Sequence, residues 1–387
     1  MNKENYISII DFGSSTIRFS VFDSNLNEKF LESSNAILES DYSNHFKKIN
    51  HIVKLAEKKI SSHIQDIILT IDPNDLFTVA ISIEKKQDEK SELNKIYANA
   101  LLELDQLIQL HYNSYKIIHV LLDECIIDDK IYVDLPKDKD QINNIKFNFK
   151  IICFNKKNLD YLLNLFKKNN LNVKCVFCTS YVKSLYYSNK FNIDNTSFLD
   201  IGWGRTTIVN FKNKKCKLIQ SIPVGSVHIT KDISKIFNIS LSDAENIKKS
   251  FNKSETVFSY ENNIFDKNNY LRELLTKNIS IDKLKKVILY RIQEIIDLSL
   301  TGLNKSNKNF DFKNTELFLI GQGSLLLKNN TFYLNDEIGF KSINFYQDTD
   351  KSLFKSILNF YLNNNQVPKK VSKKQGLFEK FFNFFDK

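Results

Sequence analysis

Two stretches of this chain share one pattern, in which a strand-like apolar run ends in an Asp-x-Gly turn and a second strand-like run follows. The first stretch is YISIIDFGSSTIRFSVF at residues 6–22, and the second is SFLDIGWGRTTIVNF at residues 197–211. Each stretch predicts a β-hairpin with a polar tip, although a single hairpin of this kind is also an ordinary turn. Glycine lets the backbone approach a phosphate closely, and hydroxyl and N–H groups can bind it. The repeated pattern therefore predicts two similar half-molecules that clamp one nucleotide.

The composition is that of a globular protein with a charge that favours anionic partners. The chain has 387 residues, 42% of them hydrophobic, which predicts a sizeable core and two large lobes. Its net charge of +10 favours nucleotides, acidic peptides or anionic lipid. Since no arginine-rich patch or base-stacking motif is present, nucleic acid is not the expected partner. The chain enters a strand almost at once and has no long apolar run, so neither a signal peptide nor a membrane-spanning helix is expected.

Cysteine usage predicts reduced thiols in a cytoplasm. The five cysteines are an odd number without framework spacing. Cys175 and Cys178 form a lone C-x-x-C in an apolar, strand-like run, which leaves a zinc or redox site as the alternative to a plain strand.

Hydrophobic periodicity places the other elements along the chain. It predicts helices at 43–63, 89–110, 156–169, 279–303 and 352–362, and strands at 66–71, 115–122, 146–154 and 317–320. The predicted apolar face of the first helix consists of Phe46, Ile49, Val53, Leu55, Ala56 and Ile60. The change of character near residue 82 predicts a small α+β insert in the first lobe.

The last twelve residues, GLFEKFFNFFDK at 376–387, predict an amphipathic helix that follows a basic linker at 363–375. Its apolar side chains are the membrane-facing candidates Leu377, Phe378, Phe381, Phe382, Phe384 and Phe385. Such a helix typically lies on an anionic membrane surface. The alternative is a terminal helix that docks on the chain's own core.

With these motifs together, the chain resembles the FtsA family of bacterial actin-like cell division proteins, within the wider superfamily of actin, sugar kinases and heat-shock chaperone ATPases. The segment DFGSS at 11–15 stands at the family's first phosphate loop, and DIGWGRTT at 200–207 stands where the family usually has DIGGGTTD. The segments SIPVGSVHITKDI at 221–233, AENIK at 244–248 and IGQGS at 320–324 are similar to further family signatures.

The resemblance implies an α/β, actin-like two-lobed ATPase fold made of duplicated ribonuclease H-like domains. The implied divisions are a first lobe at 1–81 and 156–195, an insert at 82–155, a second lobe at 196–362 with an outer subdomain at about 235–315, the linker at 363–375 and the tail helix at 376–387.

The resemblance also implies a site for ATP and Mg²⁺. The cofactor-binding candidates are Asp11, Gly13, Ser14, Ser15, Arg18, Asp200, Gly202, Gly204, Arg205, Thr206, Gly225, Glu245, Lys248, Gly321, Gly323 and Ser324. Asp11 and Asp200 would hold the metal, through water. Three of these roles have alternatives: Asp11 as a cap of its own hairpin, Arg18 as a solvated side chain, and Glu245 with Lys248 as an ordinary helix pair.

Four residues depart from the family pattern. Trp203 replaces a loop glycine, Arg205 a threonine, Thr207 the final aspartate and Gln322 a glycine. ATP binding is still expected, with at most weak hydrolysis and no assigned catalytic residue.

The implied function is a cell division protein that binds ATP, polymerises like actin and tethers the FtsZ ring to the cytoplasmic face of the cell membrane at the division site. Its implied partners are the FtsZ C-terminal peptide, other copies of itself, the anionic membrane surface and other division proteins. One alternative is a PilM-like pilus assembly protein. The other is a sugar-kinase-type phosphotransferase, against which the tail and Thr207 argue.

Overall fold

The computed structural model describes residues 6–35, 42–73, 75–86, 93–136, 143–255, 277, 279–306, 310–328 and 339–365. The tail helix predicted at 376–387, and all but the first three residues of the linker predicted at 363–375, lie outside the described residues. The chain forms two compact units. The first comprises Met1–Lys190, Lys215–Lys217 and Asp350–Lys387, and the second comprises Phe191–Lys214 and Leu218–Thr349.

The first unit contains a five-stranded sheet built around the first predicted hairpin. Its strands are β1 (Ile7–Phe12), β2 (Thr16–Phe22), β3 (Glu28–Asn35), β4 (Asp66–Ile71) and β9 (Asn172–Cys178). They lie in the order β3-β2-β1-β4-β9. Strand β1 pairs antiparallel with β2, whereas β1–β4 and β4–β9 are parallel. The carboxyl ends of β1, β4 and β9 therefore meet at one edge of the sheet.

Periodicity predicted the helices α1 (Tyr42–Ile60), α3 (Lys156–Lys168) and, late in the chain, α8 (Asp350–Asn365) of the first unit. It did not predict α4 (Thr179–Phe191), which buries most of its side chains and so lacks a clear polar face. In α1 the side chains of Phe46, Ile49 and Ala56 are buried, as predicted. Leu55 was expected on the same apolar face but is 40% exposed, because it lies beyond the edge of the buried stripe.

A second sheet in the first unit lies in the region where the insert was predicted. Its strands are β5 (Phe77–Lys86), β6 (Tyr115–Ile127), β7 (Lys130–Tyr132) and β8 (Asn144–Asn155), in the order β5-β8-β6-β7. All their pairings are antiparallel. Helix α2 (Leu93–His111) packs on this sheet and buries Ile96, Ala100 and Leu104 in a core of its own.

The sheet of the second unit repeats the strand order of the first. Its strands are β10 (Thr196–Ile201), β11 (Thr206–Lys212), β12 (Lys215–Ile222), β13 (Glu316–Ile320) and β14 (Ser342–Phe345), in the order β12-β11-β10-β13-β14. The predicted hairpin β10–β11 is antiparallel, and β10–β13 and β13–β14 are parallel. The predicted duplication of one α/β design is therefore confirmed.

Within the described residues, three α-helices accompany the second sheet. They are α5 (Ser226–Phe237), α6 (Leu241–Glu255) and α7 (Ile281–Ser306). Together with the sheet they enclose a core that includes Leu199, Ile208, Ile229, Ile247, Ile292 and Leu319.

Candidate functional site

The first candidate turn joins β1 to β2 and is closed by its own backbone. Gly13 N donates to Thr16 O over 3.2 Å. A Cβ added at Gly13 would lie 2.7 Å from that same oxygen, so the turn needs glycine for steric reasons. Ser14 and Ser15 are half-buried at its tip, and Ser15 Oγ lies 3.4 Å from Thr16 Oγ1. The turn therefore presents two serine residues on a short, tightly closed backbone.

Asp11 is the centre of a buried polar cluster at the edge of the first sheet. Its Oδ2 accepts from Arg18 Nη1 over 2.9 Å. Its Oδ1 accepts from Thr70 Oγ1 over 3.0 Å and from Thr179 Oγ1 over 3.1 Å. The strand register explains this grouping: Asp11 pairs with Arg18 in β2 and with Thr70 in β4, while Thr179 directly follows β9.

Arg18 is held between two carboxylates. Its Nε donates to Asp350 Oδ1 over 2.7 Å, in addition to its contact with Asp11. Burial opposes the charge of Arg18, but the two carboxylates outweigh it and raise the pKa of the guanidinium. Arg18 is thus ion-paired rather than solvated, and both Asp11 oxygens have protein partners. The donor set fits a contact of Asp11 with hydrated Mg²⁺, whereas direct ligation would displace a partner.

The second candidate turn, Gly202–Arg205, is attached to the start of α5. Gly202 N donates to Arg205 O over 2.9 Å, with Trp203 and Gly204 at the tip. Gly202 O and Trp203 O accept from the N–H groups of Ser226 and Val227, each over 2.9 Å. These contacts satisfy two of the four donors that the first turn of a helix leaves unpaired.

Gly225 permits this attachment by its size. A Cβ at Gly225 would lie 2.5 Å from Arg205 N and 2.6 Å from Trp203 O. Thr206, predicted to contact phosphate, is instead buried and donates from Oγ1 to Val224 O over 2.8 Å. The Arg205 side chain is half-buried.

The glycine turn after β13 packs against the end of β10. Gly321 has φ of +86°, and a Cβ there would overlap Asp200 Oδ1 and lie 2.7 Å from Ile201 O. Its N–H donates to Asp348 Oδ2 over 3.2 Å. A Cβ at Gly323 would lie 2.6 Å from Ile201 Cγ2. Gly321 therefore has a packing role at the Asp200 carboxylate and Gly323 has one at Ile201, whatever they contribute to a ligand.

Ser324 stabilises the same turn. It is fully buried, and its Oγ donates to Gly321 O over 2.7 Å. In this structure its hydroxyl is committed to the turn.

Glu245 and Lys248, the predicted ribose-binding pair, form a compact cluster with α5. Lys248 Nζ lies 2.7 Å from Glu245 Oε2, and their side chains are only 5% and 13% exposed. Lys248 also donates to Thr230 Oγ1 over 2.8 Å and to Ser226 O over 3.0 Å. Burial lowers the pKa of Lys248 against the opposing effect of Glu245. The pair therefore ties α6 to α5.

Several residues that contact the candidate site residues were not predicted from the sequence. They are Thr70, Thr179, Thr230, Asp348 and Asp350. The available signal was topological: in an α/β sheet the carboxyl ends of parallel strands gather at one edge, and polar residues that end such strands come together there. Thr70, near the end of β4, and Thr179, just after β9, meet that criterion.

Cys175 and Cys178 have the properties of strand residues. Residues three positions apart in β9 face opposite sides of the sheet. Burial raises the pKa of Cys175 to about 12, which keeps its thiol protonated. Among the described residues no group of three or more His, Cys, Asp or Glu side chains could hold a metal ion. In the same part of the chain, no helix is long and apolar enough to cross a membrane.

A family model for the cell division protein FtsA matches residues 198–359. FtsA from Bacillus subtilis (strain 168) is 24% identical over 190 residues, which is 49% of this chain and 41% of that protein. The matched stretch thus spans less than half the length of this curated relative.

Solved structures with the same fold cover nearly the whole chain. The PilM–PilN type IV pilus biogenesis complex matches with a TM-score of 0.61 at 13% identity, over 94% of this chain and 99% of the other. MreB5 of Spiroplasma citri bound to ADP matches with a TM-score of 0.51 at 12% identity, again over 94% and 99%. The chain therefore has the actin-like ATPase fold, and its residues 198–359 are similar to the FtsA family.

Proposed function

We propose that this chain is an FtsA-type cell division protein that binds ATP with Mg²⁺, polymerises like actin and tethers the FtsZ ring to the cytoplasmic membrane. The proposal rests mainly on the similarity of residues 198–359 to the FtsA family. That stretch contains the second candidate turn, helices α5 to α7 and the glycine turn after β13. The stretch that is similar to FtsA thus contains the candidate residues of the second unit.

Nucleotide binding is supported by the equivalent turns of the two units. Each turn follows a strand that carries an aspartate, Asp11 in β1 and Asp200 in β10. Phosphate oxygens would bind the N–H and hydroxyl groups of these turns, and the two aspartates would contact hydrated Mg²⁺. Bound Mg²⁺ would neutralise phosphate charge.

Weak hydrolysis is supported by Thr207. This threonine stands where the family pattern has an aspartate, and it is buried with its Oγ1 donating to Ser221 Oγ over 3.2 Å. A hydroxyl cannot accept a proton from water as a carboxylate can at neutral pH. We therefore expect an ATP-binding protein with little turnover.

The end of the second unit formed by α5, α6 and α7 would bind the FtsZ C-terminal peptide. Ile236, Leu241 and Ile281 are 45%, 55% and 44% exposed there. Lys283 lies 5.6 Å from the ring centre of Phe237, so the start of α7 adjoins the end of α5. Apolar side chains beside a lysine suit a peptide with both apolar and acidic residues.

The membrane anchor of this proposal is the sequence at 376–387. A buried Phe contributes roughly 1.5–3 kcal/mol, and the cost of folding a short helix removes much of it. One tail would bind weakly, and a filament that carries many tails would bind firmly.

The test combines purified full chain, ATP with Mg²⁺, anionic liposomes and a fluorescent peptide of the FtsZ C-terminus, and it measures peptide recruited to the lipid. We expect recruitment by the full chain and none by a chain that ends at Pro368. Phe382→Glu should abolish membrane binding, whereas Asn383→Glu, on the polar face, should leave most of it.

A second pair of variants separates peptide binding from membrane binding. The double variant Leu241→Glu with Ile281→Glu should no longer bind the peptide but should still bind the membrane. The control is Leu298→Glu, another exposed leucine, about 26 Å further along α7 than Ile281. Membrane binding without peptide recruitment by the unchanged chain would contradict the tether and favour the PilM-like alternative.

A further inference from the structure

Trp203 occupies the tip of the second candidate turn, where the FtsA pattern has glycine. It is the single tryptophan of the chain. Its backbone oxygen accepts from Val227 N, which fixes the turn on α5. Its indole ring lies over Lys248, with Nζ 4.8 Å from the ring centre, within the range of a cation–π contact.

The ammonium group under this ring has no donor left for a ligand. An ammonium group has three N–H donors. In Lys248 they are directed to Ser226 O, Thr230 Oγ1 and Glu245 Oε2, at 3.0, 2.8 and 2.7 Å. A new hydrogen bond to a ligand would therefore cost one of these, at a site that is almost fully buried.

One oxygen of Glu245 is committed in the same way. Its Oε2 accepts from Thr230 Oγ1 over 2.6 Å and from Lys248. Its Oε1 lies 3.5 Å from Lys249 Nζ. A sugar hydroxyl that approached this carboxylate would compete with charge-assisted bonds, which are stronger than neutral ones.

We propose that Trp203 is a specificity-determining residue that closes the Glu245–Lys248 cluster to the sugar of a nucleotide. The chain then binds the triphosphate part of ATP and gains little from the nucleoside. This inference rests on the proposed nucleotide binding. It means that replacing the loop glycine by Trp203 removes recognition of the sugar.

The experiment compares Mg²⁺–ATP with Mg²⁺–tripolyphosphate on the full chain by isothermal titration calorimetry. We expect the two dissociation constants to agree within about threefold in the unchanged chain. Trp203→Gly should make ATP bind at least about tenfold more tightly than tripolyphosphate. Without the ring a sugar hydroxyl can reach Glu245 Oε1, which lies 3.5 Å from Lys249 Nζ and keeps acceptor capacity. Trp203→Phe, which keeps an aromatic ring over Lys248, should retain the original ratio.

Two outcomes would overturn the inference. One is a preference for ATP of about tenfold or more in the unchanged chain, a measurement that does not depend on any variant folding. The other is an unaltered ratio in a Trp203→Gly variant whose circular dichroism matches that of the unchanged chain. If neither ligand binds to any of the three proteins, nucleotide binding itself is refuted. If the peptide is not recruited to liposomes but both ligands bind, the tether is refuted and the role of Trp203 is not.

Discussion

Acidification should destabilise the first unit through His119, a buried residue of β6. Its Nε2 accepts from Cys178 N over 3.0 Å, and its ring lies among Phe177, Tyr181 and Phe360. Burial lowers the pKa of His119 from 6.5 to about 3, and the charge of Asp72 opposes that shift only in part. The imidazole is therefore neutral in the folded protein at any pH at which the protein is normally handled.

The size and sign of the effect follow from proton linkage. Below pH 6.5 the unfolded chain binds a proton on His119 that the folded chain binds only near pH 3. The contribution of neutral His119 to the free energy of unfolding is therefore fully present above pH 6.5, the pKa of His119 in the unfolded chain, and is lost as the pH falls towards 3. Each pH unit in that range costs about 1.4 kcal/mol, so lowering the pH from 7 to 5 should remove about 2 kcal/mol.

The assay is urea denaturation followed by circular dichroism at these two pH values and constant ionic strength, with His119→Phe as the comparison. The phenylalanine ring keeps the aromatic contacts but leaves Cys178 N without its acceptor, which should cost about 2 kcal/mol at pH 7. At pH 5 the unchanged chain should have lost the roughly 2 kcal/mol of unfolding free energy by which it exceeds the variant at pH 7. The two proteins should then be about equally stable. A difference that stayed the same at both pH values would refute the reasoning.

Two further substitutions test the candidate turns. Arg18→Met should lower the free energy of unfolding by about 3 kcal/mol, because it leaves the buried Asp11 carboxylate without its cation, and a urea titration at pH 7 would measure it. A loss below about 0.5 kcal/mol would mean that the pair is an ordinary surface ion pair. Gly225→Ala should cost about 2 kcal/mol by overpacking, since its Cβ would lie 2.5 Å from Arg205 N. Gly202→Ala is the control, because its Cβ would lie 3.1 Å from Arg205 O, a milder overlap. If it lowered the free energy of unfolding as much as Gly225→Ala or more, the steric argument would be contradicted.

Local features of the fold could be predicted from the sequence because their causes are local. The alternation in 6–22 and 197–211 and the Asp-x-Gly turns define both hairpins without any distant contact. The helical period likewise predicted a helix at 43–63, and α1 is observed over Tyr42–Ile60. The error at Leu55 arose because periodicity locates the centre of a buried face better than its edge.

The partners of the site residues depend on strand order, which periodicity does not contain. Asp11 and Thr179 are brought together only once β4 is placed between β1 and β9. The same holds for Asp348 and Gly321, whose contact depends on the chain returning past the end of β13. Sequence patterns therefore predicted candidate site residues but could not predict which protein groups are hydrogen-bonded to them.

That distinction changes how the candidate site should work. Asp11, Thr206, Lys248 and Ser324 all have protein partners, so few of the predicted side chains are uncommitted. Under the proposed function, phosphate would bind backbone N–H groups of each turn, because such bonds do not require a side chain to give up its partner. Binding of that kind would recognise phosphate more than nucleoside. Under the proposed function, the nucleotide would then stabilise an assembled state rather than be consumed as a substrate.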